Sequence, residues 1–335
     1  MNIKENEPLL DHNTFAVEAT ARYYAEYKSV NELKAILTWR KEFHPSLPIL
    51  NIGEGSNLLF TRPTFEGLVI KAAEEIAFPF MTADDCRVEV WAGTKMDRFI
   101  QWSLDNGYHG LENLSWIPGT VGASAVQNIG AYGAEAGTYI EAVRCVHCES
   151  MMERVFSHDE CEYAYRDSIF KHHRQWIVTH VSYRLTDTFT PNLQYGNLAK
   201  EFAGKTPSAH DVRNAVISAR KGKLPDPAQQ GNAGSFFMNP IVSQATYEAI
   251  AKEFPTAPHY PTPDNSVKLS AAWLIEQCGW KGRSLGKAAV SDRHSLILVN
   301  LGGASGAEIV ALCHAVQDAV KERFGVELRP EVNFL

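Results

Sequence analysis

The stretch that decides the fold is GEGSNLLF, residues 53–60. It follows PILNI, residues 48–52, an apolar run of the length of a short buried strand. The two glycines let backbone amides approach a neighbour closely or adopt positive φ, and the serine and asparagine add hydrogen-bond donors without bulk. The segment therefore predicts either a diphosphate-binding turn or an ordinary turn at the end of a strand. It is neither G-x-G-x-x-G nor a P-loop, which removes the main support for a Rossmann dehydrogenase or a kinase.

A second glycine-rich stretch, IPGTVGASAVQNIGAYG, covers residues 117–133. Each glycine in a helix costs about 1 kcal/mol relative to alanine, so four glycines here argue against a packed helix. We expect an extended or flat group to lie against this backbone. Two such loops in successive regions suit the diphosphate and ribityl chain of a large dinucleotide such as FAD.

Composition and charge place the chain among ordinary globular proteins. It has 335 residues, 45% of them hydrophobic and 21% charged, with a formal net charge of -7. This charge gives no general attraction to nucleic acid or to an anionic membrane. Six scattered cysteines do not resemble a disulfide scaffold, and Cys145 and Cys148 have no second pair that would complete a zinc site. No segment looks like a signal peptide or a membrane span, so we expect a cytoplasmic protein.

The order of predicted elements favours an α+β protein with three parts. A β-α-β unit runs over about 20–72, with its helix capped by Ser29 or Asn31. A β-rich region follows, containing a helix that Gly107 ends, and a helix capped near Ser208 or Asp211 stops before Pro225. The tail from about residue 231 reads as a separate lobe of helices and strands. We place the boundaries at 1–75, 76–222 and 223–335.

At the level of whole motifs the chain resembles the UDP-N-acetylenolpyruvoylglucosamine reductases (MurB), which have the PCMH or vanillyl-alcohol-oxidase type of FAD fold. The resemblance covers nearly the whole chain and rests on motifs in the family's order: NTF at 13–15, GEGSNLLF, the second glycine stretch, YRDS at 165–168, KLPDP at 223–227, GNAGSFFMNP at 231–240 and PEVNFL at 330–335. It implies an FAD-binding domain of two α+β subdomains, followed by a C-terminal α+β substrate-binding domain. QYG around Tyr195 resembles the longer form of the family, in which a tyrosine-bearing loop closes over the substrate.

The resemblance also implies a reaction. NADPH reduces non-covalently bound FAD, N5 of the flavin gives hydride to C3 of UDP-N-acetylglucosamine enolpyruvate, and C2 is protonated to give UDP-N-acetylmuramate for peptidoglycan. Arg166 matches the catalytic arginine, Ser235 the proton donor and Glu331 the carboxyl group that stabilises the enol. From the residues alone, Arg166 could instead pair with Asp167 or Glu162, Ser235 could cap a helix or lie in a turn, and Glu331 could be a solvated terminal acid. If Glu331 donates a hydrogen bond, burial should raise its pKa.

The family's pattern assigns the remaining site residues. The residues assigned to bind the substrate diphosphate are Tyr195, Lys223, Asn239 and Lys281, although Lys281 could also be an ordinary surface lysine. The residues assigned to bind the cofactor are Gly53, Gly55, Ser56, Asn57, Leu58, Pro118, Gly119, Gly122, Ser124, Asn128, Gly130 and Tyr132. Tyr132 could equally be a packing residue. No metal is expected, and we expect a monomer whose partners are the sugar nucleotide and NADPH, without nucleic acid or membrane insertion.

Two departures and two rival functions remain open. Asn333 stands where the family commonly has arginine, and Met238 where a lysine is frequent, which puts one flavin or substrate contact and local phosphate binding in question. The same fold hosts FAD-dependent oxidases and dehydrogenases of small alcohols or sugars. A UDP-sugar-binding regulator or flavin-storing protein is the alternative without catalysis.

Overall fold

The computed structural model describes residues 2–73, 80–82, 86–262 and 264–335. Its contacts divide the chain into two compact units. The first comprises Met1–Glu7, Ala21–Glu54 and Glu66–Arg220, and the second comprises Pro8–Thr20, Gly55–Phe65 and Lys221–Leu335. The chain therefore enters the second unit three times. The predicted boundary between residues 75 and 76 lies outside the described residues, and the three-part division stays a prediction.

The first half of the chain carries most elements of the first unit and one short strand, residues 58–59, that belongs to the second. In order they are β1 (Ile3–Pro8), β2 (Thr20–Tyr27), α1 (Val30–Phe43), β3 (Ile49–Ile52), β4 (Leu58–Leu59), β5 (Thr64–Ala72), β6 (Phe80–Thr82), β7 (Arg87–Trp91), α2 (Met96–Asp105), α3 (Val121–Gln127), β8 (Gly130–Ala131), β9 (Ala134–Glu135), β10 (Ile140–His147) and β11 (Glu153–Ser157). After these come α4 (Ile169–His172), β12 (Trp176–Arg184), α5 (Leu198–Glu201) and α6 (Ala209–Lys223).

The C-terminal third carries the other elements of the second unit. They are β13 (Asn232–Ser235), β14 (Ile241–Val242), α7 (Gln244–Glu253), β15 (His259–Pro261), β16 (Val267–Leu269), α8 (Ala271–Gln277), β17 (Ser284–Leu285), β18 (Ala288–Val290), β19 (Ile297–Asn300), α9 (Gly306–Phe324) and β20 (Asn333–Phe334). Mixed helix and strand content of this kind confirms the predicted α+β class.

The first unit is built on two sheets around one core. One sheet has the order β1-β2-β5-β3, in which β3 and β5 are parallel, and the other has the order β11-β10-β12-β7-β6 with antiparallel pairs. Helix α1 begins where Ser29 accepts a hydrogen bond from the Glu32 amide, and it buries Leu33, Ile36 and Leu37. The predicted β-α-β unit is therefore present, with the predicted cap.

The second unit gathers its core from distant parts of the chain. Its sheets have the orders β13-β19-β18-β17, β14-β16-β15 and β20-β4. Phe15, Val17 and Leu59 from the N-terminal segments pack in the same core as residues of α8 and α9. Helix α9 begins with a capping box between Ser305 and Glu308 and ends at Gly325, which has φ +65°. The early segments are thus structural parts of this unit.

One local prediction is wrong. Residues 121–127 form the packed helix α3 in spite of Gly122. A Cβ at Gly122 would lie 2.7 Å from the Cβ of Ala92, so the glycine permits close packing of the helix on the end of β7. The helix ends at Asn128, whose φ is +47°.

Candidate active site

The first glycine turn is fixed by contacts within the protein. A Cβ on Gly53 would lie 2.8 Å from Thr120 Oγ1, within the first unit. Gly55, in the second unit, has φ +67°, and a Cβ there would overlap the carbonyl oxygen of His12. Close packing therefore favours glycine at residue 53, and both packing and backbone conformation require it at residue 55.

The two glycine stretches meet in the first unit. The Gly119 amide donates to Glu54 Oε2 at 2.7 Å, and Lys95 Nζ lies 3.5 Å from Glu54 Oε1. Thr120 caps α3 by accepting from the Ala123 amide. This role of Glu54 was not predicted from the sequence. The available signal was an acidic side chain placed between two glycines.

Helix α6 anchors the start of the second glycine stretch at Trp116, which has φ +59°. Asp97 accepts from the Trp116 amide at 2.6 Å and from both terminal nitrogens of Arg213 at 2.7 and 2.9 Å. Arg220 Nε donates to the Trp116 carbonyl at 3.1 Å. Burial, the largest single cause, acts to raise the pKa of Asp97. The hydrogen bonds from Arg213 and the Trp116 amide, with the charges of Arg213 and Arg220, together hold this pKa below its ordinary value.

Two predicted cofactor side chains are used inside the protein. Ser124 Oγ donates to the Val121 carbonyl at 2.7 Å and lies 3.2 Å from the Tyr183 hydroxyl. Asn128 accepts from the Gly137 amide and donates to the Ala164 carbonyl, each at 2.8 Å. Cofactor contacts of these side chains stay a prediction.

Ser235 and Glu331 come together in the second unit. The Glu331 amide donates to the carbonyl of Phe236, the neighbour of Ser235, at 2.8 Å. The adjacent pair Phe237 and Pro330 forms an antiparallel bridge. Ser235 is exposed at the end of β13, beside Ile297 of β19, so it does not cap a helix.

Asn57 joins this pair from the first glycine motif. Its side chain donates to the Glu331 carbonyl at 3.3 Å, and its own carbonyl accepts from the amide and side chain of Asn333 at 3.1 and 3.0 Å. The next residue, Leu58, is buried and pairs with Asn333 where β4 and β20 run parallel. Asn333, the departure from the family pattern, thus holds the motif in place.

Arg166 lies in the first unit, in a tight turn closed by two hydrogen bonds between Ala164 and Asp167. Its φ is +55°, and its side chain is only 16% exposed. One guanidinium nitrogen donates to the Gly130 carbonyl at 2.5 Å and the other lies 3.5 Å from Glu135 Oε1. A Cβ on Gly130 would lie 2.5 Å from this guanidinium, so the glycine makes room for the arginine.

Lys223 and Lys281, two predicted diphosphate residues, lie in the second unit near His294. Burial lowers the pKa of His294, and the charges of the two lysines lower it further. Lys281 also pairs with Glu276 at 3.1 Å. Sequence reasoning weighed His294 only as a metal or flavin ligand, and its spacing from the lysines gave no signal of their proximity.

The remaining substrate residues lie apart from these lysines in the chain. Asn239 accepts from the Ala271 amide at 3.0 Å, which leaves its NH₂ group pointing away from that bond as a donor. Tyr195 is 49% exposed in the first unit, and its ring lies 6.1 Å from that of Tyr132. Burial raises the pKa of the Tyr132 phenol against the opposing charge of Arg220.

Each unit presents groups that fit the diphosphate of a dinucleotide. Gly53 and Gly130 are partly exposed and Gly133 is exposed, so some backbone surface is accessible at each of them. Ser56 and Asn57, both partly exposed, supply a hydroxyl and an amide without bulk. Among the described residues, no group of three His, Cys, Asp or Glu side chains is arranged to hold a metal ion.

Comparison with known proteins identifies the class and then the family. Residues 21–155 match a family described as FAD binding domain, and residues 226–335 match UDP-N-acetylenolpyruvoylglucosamine reductase, C-terminal domain. The protein is an FAD-dependent oxidoreductase. A UDP-N-acetylenolpyruvoylglucosamine reductase of Bacteroides fragilis is 44% identical over 99% of this chain and 100% of its own, and one of Porphyromonas gingivalis is 42% identical over the full length of both. The chain belongs to the UDP-N-acetylenolpyruvoylglucosamine reductase family.

A solved structure agrees with this assignment. The UDP-N-acetylenolpyruvylglucosamine reductase (MurB) of Thermus caldophilus is 26% identical, covers 99% of this chain and 98% of its own, and has a TM-score of 0.69. The family resemblance and the FAD fold inferred from the motifs are confirmed. None of these matches favours the alcohol or sugar oxidase. No helix in the described part of the chain combines the length and hydropathy needed to cross a bilayer.

Proposed function

We propose that this enzyme reduces UDP-N-acetylglucosamine enolpyruvate to UDP-N-acetylmuramate, a peptidoglycan precursor, with electrons from NADPH. The full-length match to reductases of this name is the observation that carries the proposal. When bound, FAD accepts hydride from NADPH and supplies it to C3 of the substrate. The chain itself must bind the alkene, stabilise the charge that develops on the conjugated carboxylate, and deliver one proton to C2.

We assign the proton at C2 to Ser235. Its exposed position at the end of β13, with the Glu331 backbone bonded to its neighbour, supports this role. A serine hydroxyl is a weak acid, so it requires groups that stabilise its alkoxide or reprotonate it quickly. Glu331 is the carboxyl group we assign to the enol form, and its raised pKa stays a prediction.

We assign the substrate carboxylate to Arg166. A guanidinium stays charged and forms two-point contacts with a carboxylate, so it can follow the increase in negative charge during the reaction. Its hydrogen bond to the Gly130 carbonyl and its proximity to Glu135 support a fixed orientation. Arg166 lies in the first unit, and Ser235 and Glu331 lie in the second.

The binding residues are proposed from the same pattern. Lys223 and Lys281 would neutralise the substrate diphosphate, Asn239 would donate from its NH₂ group, and Tyr195 would cover the nucleotide. Residues 1–222 would bind FAD, using the glycine-rich positions named above, and residues 223–335 would hold the substrate. We place the enzyme in the cytoplasm as a monomer.

Replacement of Ser235 tests the assignment. In Ser235→Ala, reduction of the flavin by NADPH should be unchanged, while turnover of the enolpyruvyl substrate should fall by about 100-fold or more. Stopped-flow absorbance of the two half-reactions measures both. Ser284→Ala, at an exposed serine of β17, is the control. Equal losses in the two half-reactions would refute the proton-donor role.

A further inference from the structure

The segment of residues 186–197, here called the tyrosine loop, carries Tyr195 and is attached to the first unit at several points. At its base, His109 and Thr186 exchange backbone hydrogen bonds of 2.8 and 3.2 Å. Phe189 lies with its ring 5.4 Å from that of His109. The base of the loop is therefore held by backbone pairing and an aromatic contact.

The middle of the tyrosine loop is held by one buried amide. Asn113 is 3% exposed, and its Nδ2 donates to the Asn192 carbonyl at 2.9 Å. The same Nδ2 donates to the Tyr132 carbonyl at 2.7 Å. One side chain thus ties the loop to the hairpin of the second glycine stretch.

On the exposed side, a further hydrogen bond joins the loop to the hairpin, and here the loop supplies the donor. Asn192 Nδ2 donates to the Gly133 carbonyl at 3.1 Å, one residue beyond the carbonyl that Asn113 contacts. A Cβ on Gly133 would lie 3.5 Å from Cβ of Tyr195. Gly133 has a φ of +79°, a conformation that favours glycine.

We propose that Asn113 is a positioning residue that fixes the distance between the FAD-binding hairpin and Tyr195, and so sets the affinity for the nucleotide substrate. The inference rests on the proposed function, in which Tyr195 covers the substrate. A buried amide can hold the loop and the hairpin together because its removal takes the same donor from the carbonyls of Tyr132 and Asn192 at once. A loop that is only partly in its binding position weakens apparent affinity by the fraction that is displaced.

The test uses the full-length holoenzyme and compares three variants in steady state and in the NADPH half-reaction. Asn113→Ala should raise KM for UDP-N-acetylglucosamine enolpyruvate by about tenfold, with flavin reduction by NADPH unchanged. Asn192→Ala removes the exposed side chain that donates to the Gly133 carbonyl, without leaving a buried void, and it should also raise this KM. Asn106→Ala is the matched control, because Asn106 also donates to a backbone carbonyl, that of Trp102, at 2.8 Å but lies outside the loop.

A double-mutant cycle separates positioning from a general loss of structure. In a Tyr195→Ala background, Asn113→Ala should add little further loss, because the side chain that it positions is absent. An unchanged KM in Asn113→Ala, or a full additional loss in the Tyr195→Ala background, would overturn the inference. Failure of the wild-type enzyme to turn over this substrate would instead overturn the proposed function itself.

Discussion

Arg166 shows what residue-level reasoning could and could not predict. The resemblance of YRDS identified the arginine, and its permanent charge suited a carboxylate. The sequence suggested Asp167 or Glu162 as its ordinary partners, whereas the structure gives contacts with Gly130 and Glu135, more than 30 positions away. Asp167 instead lies 2.9 Å from His172. Contacts of this kind depend on the fold of the chain and have no local sequence signal.

His294 leads to a prediction about pH. Burial, followed by the charges of Lys223 and Lys281, lowers its pKa below the ordinary value of 6.5, and Glu276 opposes this shift. Its Nδ1 also accepts from the Leu296 amide at 3.3 Å, which requires a ring without a proton at that atom. The folded protein therefore takes up the proton less readily than the unfolded chain.

The stabilising contribution of neutral His294 should be complete above the ordinary pKa and should decrease as the pH falls below it. Urea unfolding of wild type and His294→Gln at about pH 7.5 and about pH 5.5 measures it. The stability advantage of wild type over the variant should be smaller at the lower pH. Replacement of the exposed His314 by glutamine controls for loss of a surface imidazole. An advantage that grows on acidification would contradict the prediction.

Helix α3 shows the limit of sequence reasoning about elements. Periodicity, caps and turn residues predicted α1, α2 and α6, because those signals are local. In α3 the glycine content argued against a helix, but the decisive factor is the approach of Gly122 to Ala92, 30 positions earlier in the chain. Helix propensity alone therefore gave the wrong answer.

This contact predicts opposite effects for two glycine substitutions in helices. Gly122→Ala should destabilise the protein by about 1 to 3 kcal/mol, because its Cβ would lie 2.7 Å from that of Ala92. Gly222→Ala, near the end of α6 with no atom within 4 Å of the new Cβ, should be neutral or stabilise by up to about 1 kcal/mol. Urea denaturation of both variants measures the difference. Equal effects of the two substitutions would show that packing does not decide the outcome at residue 122.

On the scale of the whole molecule, the resemblance identified the family and the FAD fold. The order of predicted elements did not show that the chain is interleaved, with early segments belonging to the same unit as the C-terminal part. The sequence predicted a C-terminal domain that begins at residue 223, and the contacts change units between residues 220 and 221. The segments 8–20 and 55–65 also belong to that second unit. Nothing in the sequence of these two segments indicates that their few apolar side chains pack in the core of the second unit.

The interleaving predicts how a fragment should behave. Residues 223–335 expressed alone lack Phe15, Val17 and Leu59 of the core, and β20 lacks its partner β4. Loss of several buried hydrophobic side chains costs about as much as the usual net stability of a domain. We expect no cooperative thermal transition for this fragment by circular dichroism. A transition at the temperature of the full chain would show that the N-terminal segments are dispensable.

The central claim is that electrons pass from NADPH through the bound flavin to an enolpyruvyl ether. The most direct measurement reduces the purified, yellow holoenzyme with NADPH under anaerobic conditions and then adds UDP-N-acetylglucosamine enolpyruvate. We predict that the flavin absorbance returns as UDP-N-acetylmuramate forms in equal amount. Flavin that stays reduced after the substrate is added, or that is reduced by a simple alcohol but not by NADPH, would contradict the claim.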